Sequence, residues 1–263
     1  MLQAFSEIQP DNKIVDGLRQ WLVLSRQVQD WGKQRSTVET VDAILTSGTD
    51  WTNAARTDIP EFRLKGQRVQ TPQSAVLTGA FTLTLDAGRA SGKTLKITRS
   101  APAPAWGGVI SQYEAPIEDV KDAAIPNLSI RKETVALVDE GDGSLKPAKG
   151  ITLKKGMKVR VTLAITNDRA MEYMAVTDER SACLEPTEQL SRYTSTDGVW
   201  YYKEVRDAAT SIYIEYLPKG HHVISYECTV SQDGDFSCGI ATIQSQYSPL
   251  VTAHTSGSLL QVR

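Results

Sequence analysis

Hydrophobic and polar residues alternate along this chain with two different periods. Over residues 11–31, Ile14, Leu18, Trp21, Leu22 and Val28 recur at the 3.6-residue period of a helix with one apolar side. Asp11 stands where an N-cap belongs, and Gly32 where the helix would stop. Ser36-Thr37-Val38-Glu39 matches a capping box, Val38, Val41, Ile44 and Leu45 form a second stripe, and Gly48 suits the C′ position that closes it. The pattern predicts two helices in hairpin order, whose apolar faces need a surface to pack on.

Near residue 56 the period falls to 2. Phe62/Leu64, Phe81/Leu83/Leu85 and Leu95/Ile97 read as short strands, punctuated by Gly66, Gly88, Gly92 and the Ala-Pro run at 101–105. Residues 106–113 read as one more strand, which leaves this block thin for an independent sandwich. Residues 114–127 are a polar, proline-flanked connector and the expected domain boundary. Strands resume at 128–130, a glycine-rich turn spans 139–144, and further strands follow at 157–165, 171–176 and 199–203. The densest alternation lies at 212–246. There Leu217-Pro218-Lys219-Gly220 and Asp233-Gly234 are expected to join neighbouring antiparallel strands, with 236–246 as one long returning strand. The expected fold is mainly β: an antiparallel β-sandwich over 113–263, a small β domain over 57–112 and a short N-terminal α-helical segment over 1–56.

Charge narrows the function classes. The 29 basic and 31 acidic residues give a net charge of -2, so no nucleic-acid partner is expected. The longest basic stretch, 154–160, is short and strand-patterned and reads as a solvated face. No run of 18 apolar residues exists, so no direct membrane insertion is expected. Residues 1–10 lack the pattern of a signal peptide, which leaves a cytoplasmic protein or the tail end of something longer. With three His and no CxxC, neither a structural zinc nor any other cofactor is expected. Cys228 and Cys238 flank the Asp233-Gly234 turn, so a cross-strand disulfide is open to them only if they lie directly opposite; otherwise the three cysteines are small apolar residues.

The candidate chemistry is weak throughout, and no catalytic, cofactor-binding or metal residue is assigned. Gly88 to Thr94 approximates a phosphate-binding loop, but Ala87 replaces the first glycine and strand alternation resumes at Leu95, so a hairpin turn is expected. Cys183-Leu184-Glu185-Pro186 approximates a thioester segment with proline in place of the glutamine acyl donor. His221 and His222 are adjacent on a strand and point to opposite faces. Ser237 and Ser248 have no local base. Asp178, Glu179 and Arg180, with Glu204, Arg206 and Asp207, read as surface salt bridges, with a polar network between loops as the alternative. Asn127-Leu128-Ser129 is a glycosylation sequon, relevant only to a eukaryotic secretory protein. The aromatic set (Trp106, Tyr113, Tyr173, Trp200, Tyr201, Tyr202, Tyr213, Tyr216 and Tyr226) reads as sheet core and edge, with a sugar or peptide platform as the alternative.

Residues 159–165, Met171 through Arg180, Ser181 through Pro186, Asp197 through Glu204, Tyr216 through Gly220, Phe236 through Gln244, Tyr247 to Pro249 and Thr252 to His254 together resemble the C-terminal end of bacterial alpha-2-macroglobulin-like proteins. Trp21 to Leu24, Gln29 to Gly32 and Ser36 to Ile44 resemble the last helices of that family's helical toroid. The resemblance implies a terminal macroglobulin-like sandwich in a large, envelope-associated protease trap. Its partners would be upstream domains of the same polypeptide and, through the whole molecule, proteases; its place would be the periplasm or cell envelope. The thioester and bait segment of the family are not found in these residues, so the role implied is a non-catalytic scaffold. A freestanding β-sandwich binding or adhesion module is the alternative, and a glycosidase-like remnant a weaker third, since Asp16, Asp30, Glu39 and Asp42 form no paired arrangement.

Overall fold

The computed structural model describes residues 1–26, 31–47, 60–69, 73–75, 80–100, 108–139, 141 and 143–263. It divides into two compact units, residues 1–110 and 111–263.

The first unit opens with three helices: α1 (Leu2–Ile8), α2 (Ile14–Leu24) and α3 (Gln34–Thr46). Leu2, Val15 and Ala43 are buried where the three meet, with Phe5, Leu18, Leu22 and Ile44 packed around them. Arg19 is buried too, and its Nε donates to Ser47 Oγ at 2.7 Å. The helix boundaries differ from the sequence expectation. α1 carries no stripe long enough to register as periodic. α2 starts after Lys13 rather than at Asp11, and the Asn12 side chain accepts the Ile14 N–H. Ser36 lies inside α3, which begins two residues earlier, so the capping box is not used. α2 ends at Leu24, well before Gly32, while Val28 and Gly48 lie outside the described residues. Among the described residues, strands β1 (Glu61–Leu64), β2 (Gln67–Arg68), β3 (Gln73–Ala75) and β4 (Ala80–Thr82), helix α4 (Ala87–Ala90) and strand β5 (Leu95–Thr98) follow. β5 and β2 flank β1, and Phe62, Leu64 and Val69 form a small core. Leu83 and Leu85 pack on that core from irregular backbone rather than from a strand.

The second unit is a sandwich. In chain order its strands are β6 (Leu128–Asp139), β7 (Leu145–Ala148), β8 (Lys158–Asn167), β9 (Met171–Glu179), β10 (Leu184–Pro186), β11 (Arg192–Thr196), β12 (Val199–Val205), β13 (Ala209–Leu217), β14 (Gly220–Val230), β15 (Gly234–Cys238), β16 (Ala241–Ser245), β17 (Thr252–His254) and β18 (Ser258–Val262). One sheet runs β10-β14-β8-β6-β7 and the other β11-β12-β13-β9-β16-β17, while β15 and β18 pair apart. Every ladder between these strands is antiparallel. Alternation sends Val159, Val161, Leu163 and Ile165 of β8 to one face, where the last three meet Met174 and Val176 of β9 and Ile212 and Ile214 of β13. A second cluster under β15 and β18 holds Cys183, Cys228, Val230 and Val262.

Both turns expected to close hairpins do something else. Leu217-Pro218-Lys219-Gly220 carries the chain from β13 in one sheet to β14 in the other. Asp233-Gly234 leads into β15, which pairs with β18 and not with β14. The expected long strand at 236–246 is broken at Gly239, where a Cβ would lie 2.4 Å from that of Glu179; β16 then joins the six-stranded sheet. Cys228 therefore faces Val159 and Pro186 across its ladders and Cys238 faces Ser258, and both are free thiols. The Asp-Gly hairpin lies instead at Asp197-Gly198, between β11 and β12. Positive φ values of 49° and 79° there make the type I′ turn.

Residues 108–113 form no strand, and the connector 114–127 is bound to the sandwich. Ala123 exchanges two backbone hydrogen bonds with His254, and Gly257 N–H donates to Val120 O at 3.0 Å. A Cβ on Gly257 would lie 1.7 Å from Ile117 O. Gly257→Ala is therefore expected to displace the connector and cost about 1–3 kcal/mol in urea denaturation.

Candidate functional site

The inward face of β6 reads Leu128, Ile130, Lys132, Thr134, Ala136, so alternation alone carries a lysine into the interior. The same rule takes Asp178 inward after Met174 and Val176 on β9, and Tyr226 inward between Ile224 and Cys228 on β14. These three side chains meet between the sheets. Lys132 Nζ lies 2.5 Å from Asp178 Oδ1, and Tyr226 Oη donates to Asp178 Oδ2 at 2.5 Å. The Asp178 side chain is wholly buried. Lys132 Nζ also donates to the carbonyls of Glu179 at 3.1 Å and Gly239 at 3.0 Å. An ammonium has three donor hydrogens, and all three are used. Each carboxylate oxygen has one of these partners. The centre is a tie between two sheets.

Burial lifts the Asp178 carboxyl above its ordinary range, against the pull of Lys132, Tyr226 and Arg180. Burial and the neighbouring Asp178 carboxylate raise the Tyr226 hydroxyl further still. The Cys228 thiol is pushed up to about 12 by burial, and Cys183 is raised for the same reason, so neither is a reactive thiolate.

The expectation that Asp178 and Arg180 sit in surface salt bridges is overturned. Arg180 is buried; its Nη1 donates to Thr210 Oγ1 at 2.7 Å and its Nη2 to the carbonyls of Arg206 and Asp207. It pins the turn between β12 and β13. Only Glu204 and Arg206 make the exposed pair, at 2.6 Å. Two inward charges in strands otherwise apolar on that side were the signal for the centre.

The other candidates stay apart. His222 is buried and donates from Nε2 to Pro218 O at 2.8 Å, while His221 is exposed beside Thr166. Ala87 to Ala90 form a single helical turn capped by Asp86, and the following strand pairs with β1, so the near-P-loop is not the hairpin expected. Ser237 Oγ donates to Glu118, and Asn127 is half-buried. The aromatic set divides. Tyr201 is core, whereas Trp200, Tyr213, Tyr216 and Tyr173 are exposed, and Trp106 lies outside the described residues. Beside Tyr226 a cavity of about 220 Å³ opens to the surface, lined by Thr187, Glu188, Lys203 and Glu227 among others. Its charges are already paired: Glu188 holds Lys203 and Arg192, and Glu227 holds Arg160.

Removing Lys132 strands a buried carboxylate. Lys132→Met is expected to cost about 3–5 kcal/mol at neutral pH, and the deficit shrinks as acid protonates Asp178. The sign for Asp178 itself follows from its raised value. Its contribution to stability is full below the unfolded carboxyl's pKa and is lost as pH rises through the folded one. Denaturation of the native sequence and of Asp178→Asn across acid to neutral pH should therefore show their stability difference moving in favour of the variant as pH rises.

The family model of the bacterial alpha-2-macroglobulin MG10 domain matches residues 128–249. No curated protein matches the chain. Among solved structures, Escherichia coli alpha-2-macroglobulin activated by porcine elastase aligns at 16% identity over 100% of this chain and 23% of that one, with a TM-score of 0.47. Salmonella alpha-2-macroglobulin reacted with methylamine aligns at 18% identity over 99% of this chain and 16% of that one, with a TM-score of 0.42. Trypsin-activated Escherichia coli alpha-2-macroglobulin aligns at 18% identity over 57% of this chain and 11% of that one, with a TM-score of 0.43. The chain thus spans less than a quarter of each of these proteins. The stretch from β6 to just beyond β16, with the Lys132–Asp178–Tyr226 tie inside it, belongs to the MG10 domain family of bacterial alpha-2-macroglobulins.

Proposed function

We propose that this chain is the non-catalytic C-terminal scaffold portion of an alpha-2-macroglobulin-like protease trap. The observation that carries the reading is the MG10 match over residues 128–249. In this reading residues 1–56 are the end of a helical toroid, 57–112 part of a β domain, and 113–263 the terminal macroglobulin-like sandwich. The partners are upstream domains of the same polypeptide and, through the whole molecule, a protease. The relatives named above as activated by elastase or trypsin fit a scaffold that is repositioned when a protease acts elsewhere in the molecule. The site of action is the periplasm or cell envelope.

The helices support this reading. Val38, Val41 and Leu45 fall on one stripe of α3 and are 69%, 41% and 62% exposed, and Trp21 of α2 is 62% exposed. An apolar stripe left to solvent fits a helix whose natural neighbours lie upstream.

Two outcomes are expected. An antibody to residues 113–263, used on fractionated lysate of the source organism, should reveal a band several-fold larger than 28.9 kDa in the envelope fraction. A 28.9 kDa cytoplasmic band would sink the reading in favour of a freestanding binding module. The isolated chain should bind an apolar dye at α3, and Val38→Ser with Leu45→Ser should remove most of that signal while changing stability by less than about 0.5 kcal/mol.

A further inference from the structure

The two main sheets have four outer strands: β10 and β7 on one, β11 and β17 on the other. An outer strand presents unpaired N–H and C=O groups to any extended chain, and folded proteins block such edges with proline, charge or cover. Three of these four are blocked. β10 is three residues long and ends in Pro186. β7 contains Lys146 and Pro147. β17 is covered by the connector through Ala123. β11 reads Arg192-Tyr193-Thr194-Ser195-Thr196, with no proline and no charge after its first residue.

The direction of its backbone groups follows from the neighbouring turns. Arg206 N–H donates to Ala209 O, so the backbone of Arg206 faces β13, and residues of β12 alternate from there. Val199, Tyr201 and Lys203 consequently face β11, opposite Thr196, Thr194 and Arg192. The Val205 N–H, which donates to Ser191 Oγ, agrees with that parity. The N–H and C=O of Tyr193 and Ser195 therefore point out of the sheet, at an edge on which no strand among the described residues is paired.

The outer face beside this edge is aromatic. Tyr193, Tyr202 and Tyr213 stand in one cross-strand rank, with the rings of Tyr193 and Tyr202 5.0 Å apart. Trp200 pairs with Ser195 one step along, and Tyr193 and Trp200 are 75% and 69% exposed. Arg192 is paired with Glu188. The edge is thus neutral and ends in large rings, and β-branched side chains pair well with aromatic ones across strands.

We infer that β11 is a docking edge for an uncharged, extended peptide segment rich in β-branched residues, which adds as a seventh strand beyond β11. Main-chain hydrogen bonds to Tyr193 and Ser195 supply the attachment, and alternate side chains of the segment lie against Tyr193 and Trp200.

The test uses the full chain and a fluorescein-labelled heptapeptide of alternating threonine and valine. Fluorescence anisotropy is expected to show saturable binding that Ser195→Pro weakens at least tenfold. That substitution removes an outward N–H and no bond to β12, so the fold is retained. On the native sequence, saturating peptide should slow amide exchange of Tyr193 and Ser195 at least tenfold while leaving Thr194 and Thr196 unchanged. The inference is overturned by absence of binding, by equal binding to Ser195→Pro, by exchange protection at Thr194 instead, or by a dimer in sedimentation that Ser195→Pro dissociates, which would make a second copy the occupant.

Discussion

The sandwich is organised by a charged pair that it hides from water. Moving a carboxylate and an ammonium out of solvent costs several kcal/mol each unless every hydrogen-bonding position is filled. Here the Asp178 carboxylate is filled from Lys132 and Tyr226, and Lys132 is filled from Asp178 and two carbonyls. The consequence is register. An apolar face tolerates a two-residue slip, because one valine or isoleucine replaces another. The tie does not, because Lys132 comes from β6, Tyr226 from β14 and Asp178 from the opposite sheet. A slip of β6 on β8, of β14 on β8, or of one sheet over the other would leave a buried charge alone. The pair thus selects one packing among several that hydrophobicity alone would allow.

Around that fixed point the chain turns corners rather than hairpins. Pro218 O accepts from His222 Nε2 and Asn167 Nδ2, which holds the corner where β13 leaves one sheet and β14 enters the other. Gly239 lets the chain pass from β15 into β16 of the six-stranded sheet, since its missing Cβ allows the backbone to run against Glu179. Arg180 secures the turn between β12 and β13 through two carbonyls. These contacts sit at the turns between strands, and the apolar residues fill the space between the sheets.

Strand existence was legible because it depends on period-2 burial along each segment. Val159 to Ile165, Met174 to Val176 and Ile224 to Cys228 all kept the faces their alternation implied. Pairing was less legible. Leu217-Pro218-Lys219-Gly220 and Asp233-Gly234 carry turn residues, but turn chemistry does not say whether the next strand returns to the same sheet. That choice is made by distant partners, β8 for β14 and β18 for β15. Asp197-Gly198 was the hairpin, and its flanking strands are too polar on one face to stand out. Lys132 and Asp178 were legible in principle as charges at inward positions. Their meeting was not, because it depends on how one sheet lies over another.

Interior and surface then divide the labour. The centre is buried, with all three ammonium hydrogens of Lys132 and both oxygens of Asp178 engaged, while the edges of the sheets face outward. An unblocked edge is also a hazard, since it can template aggregation. β11 limits that hazard by geometry. It is five residues long, and the type I′ turn at Asp197-Gly198 gives it the strong right-handed twist of a two-residue hairpin. A flat, long strand stacks with any neighbour, whereas a short twisted one accepts only a segment that follows its twist and covers its rings. The features that make the edge safe are therefore the same ones that make it selective.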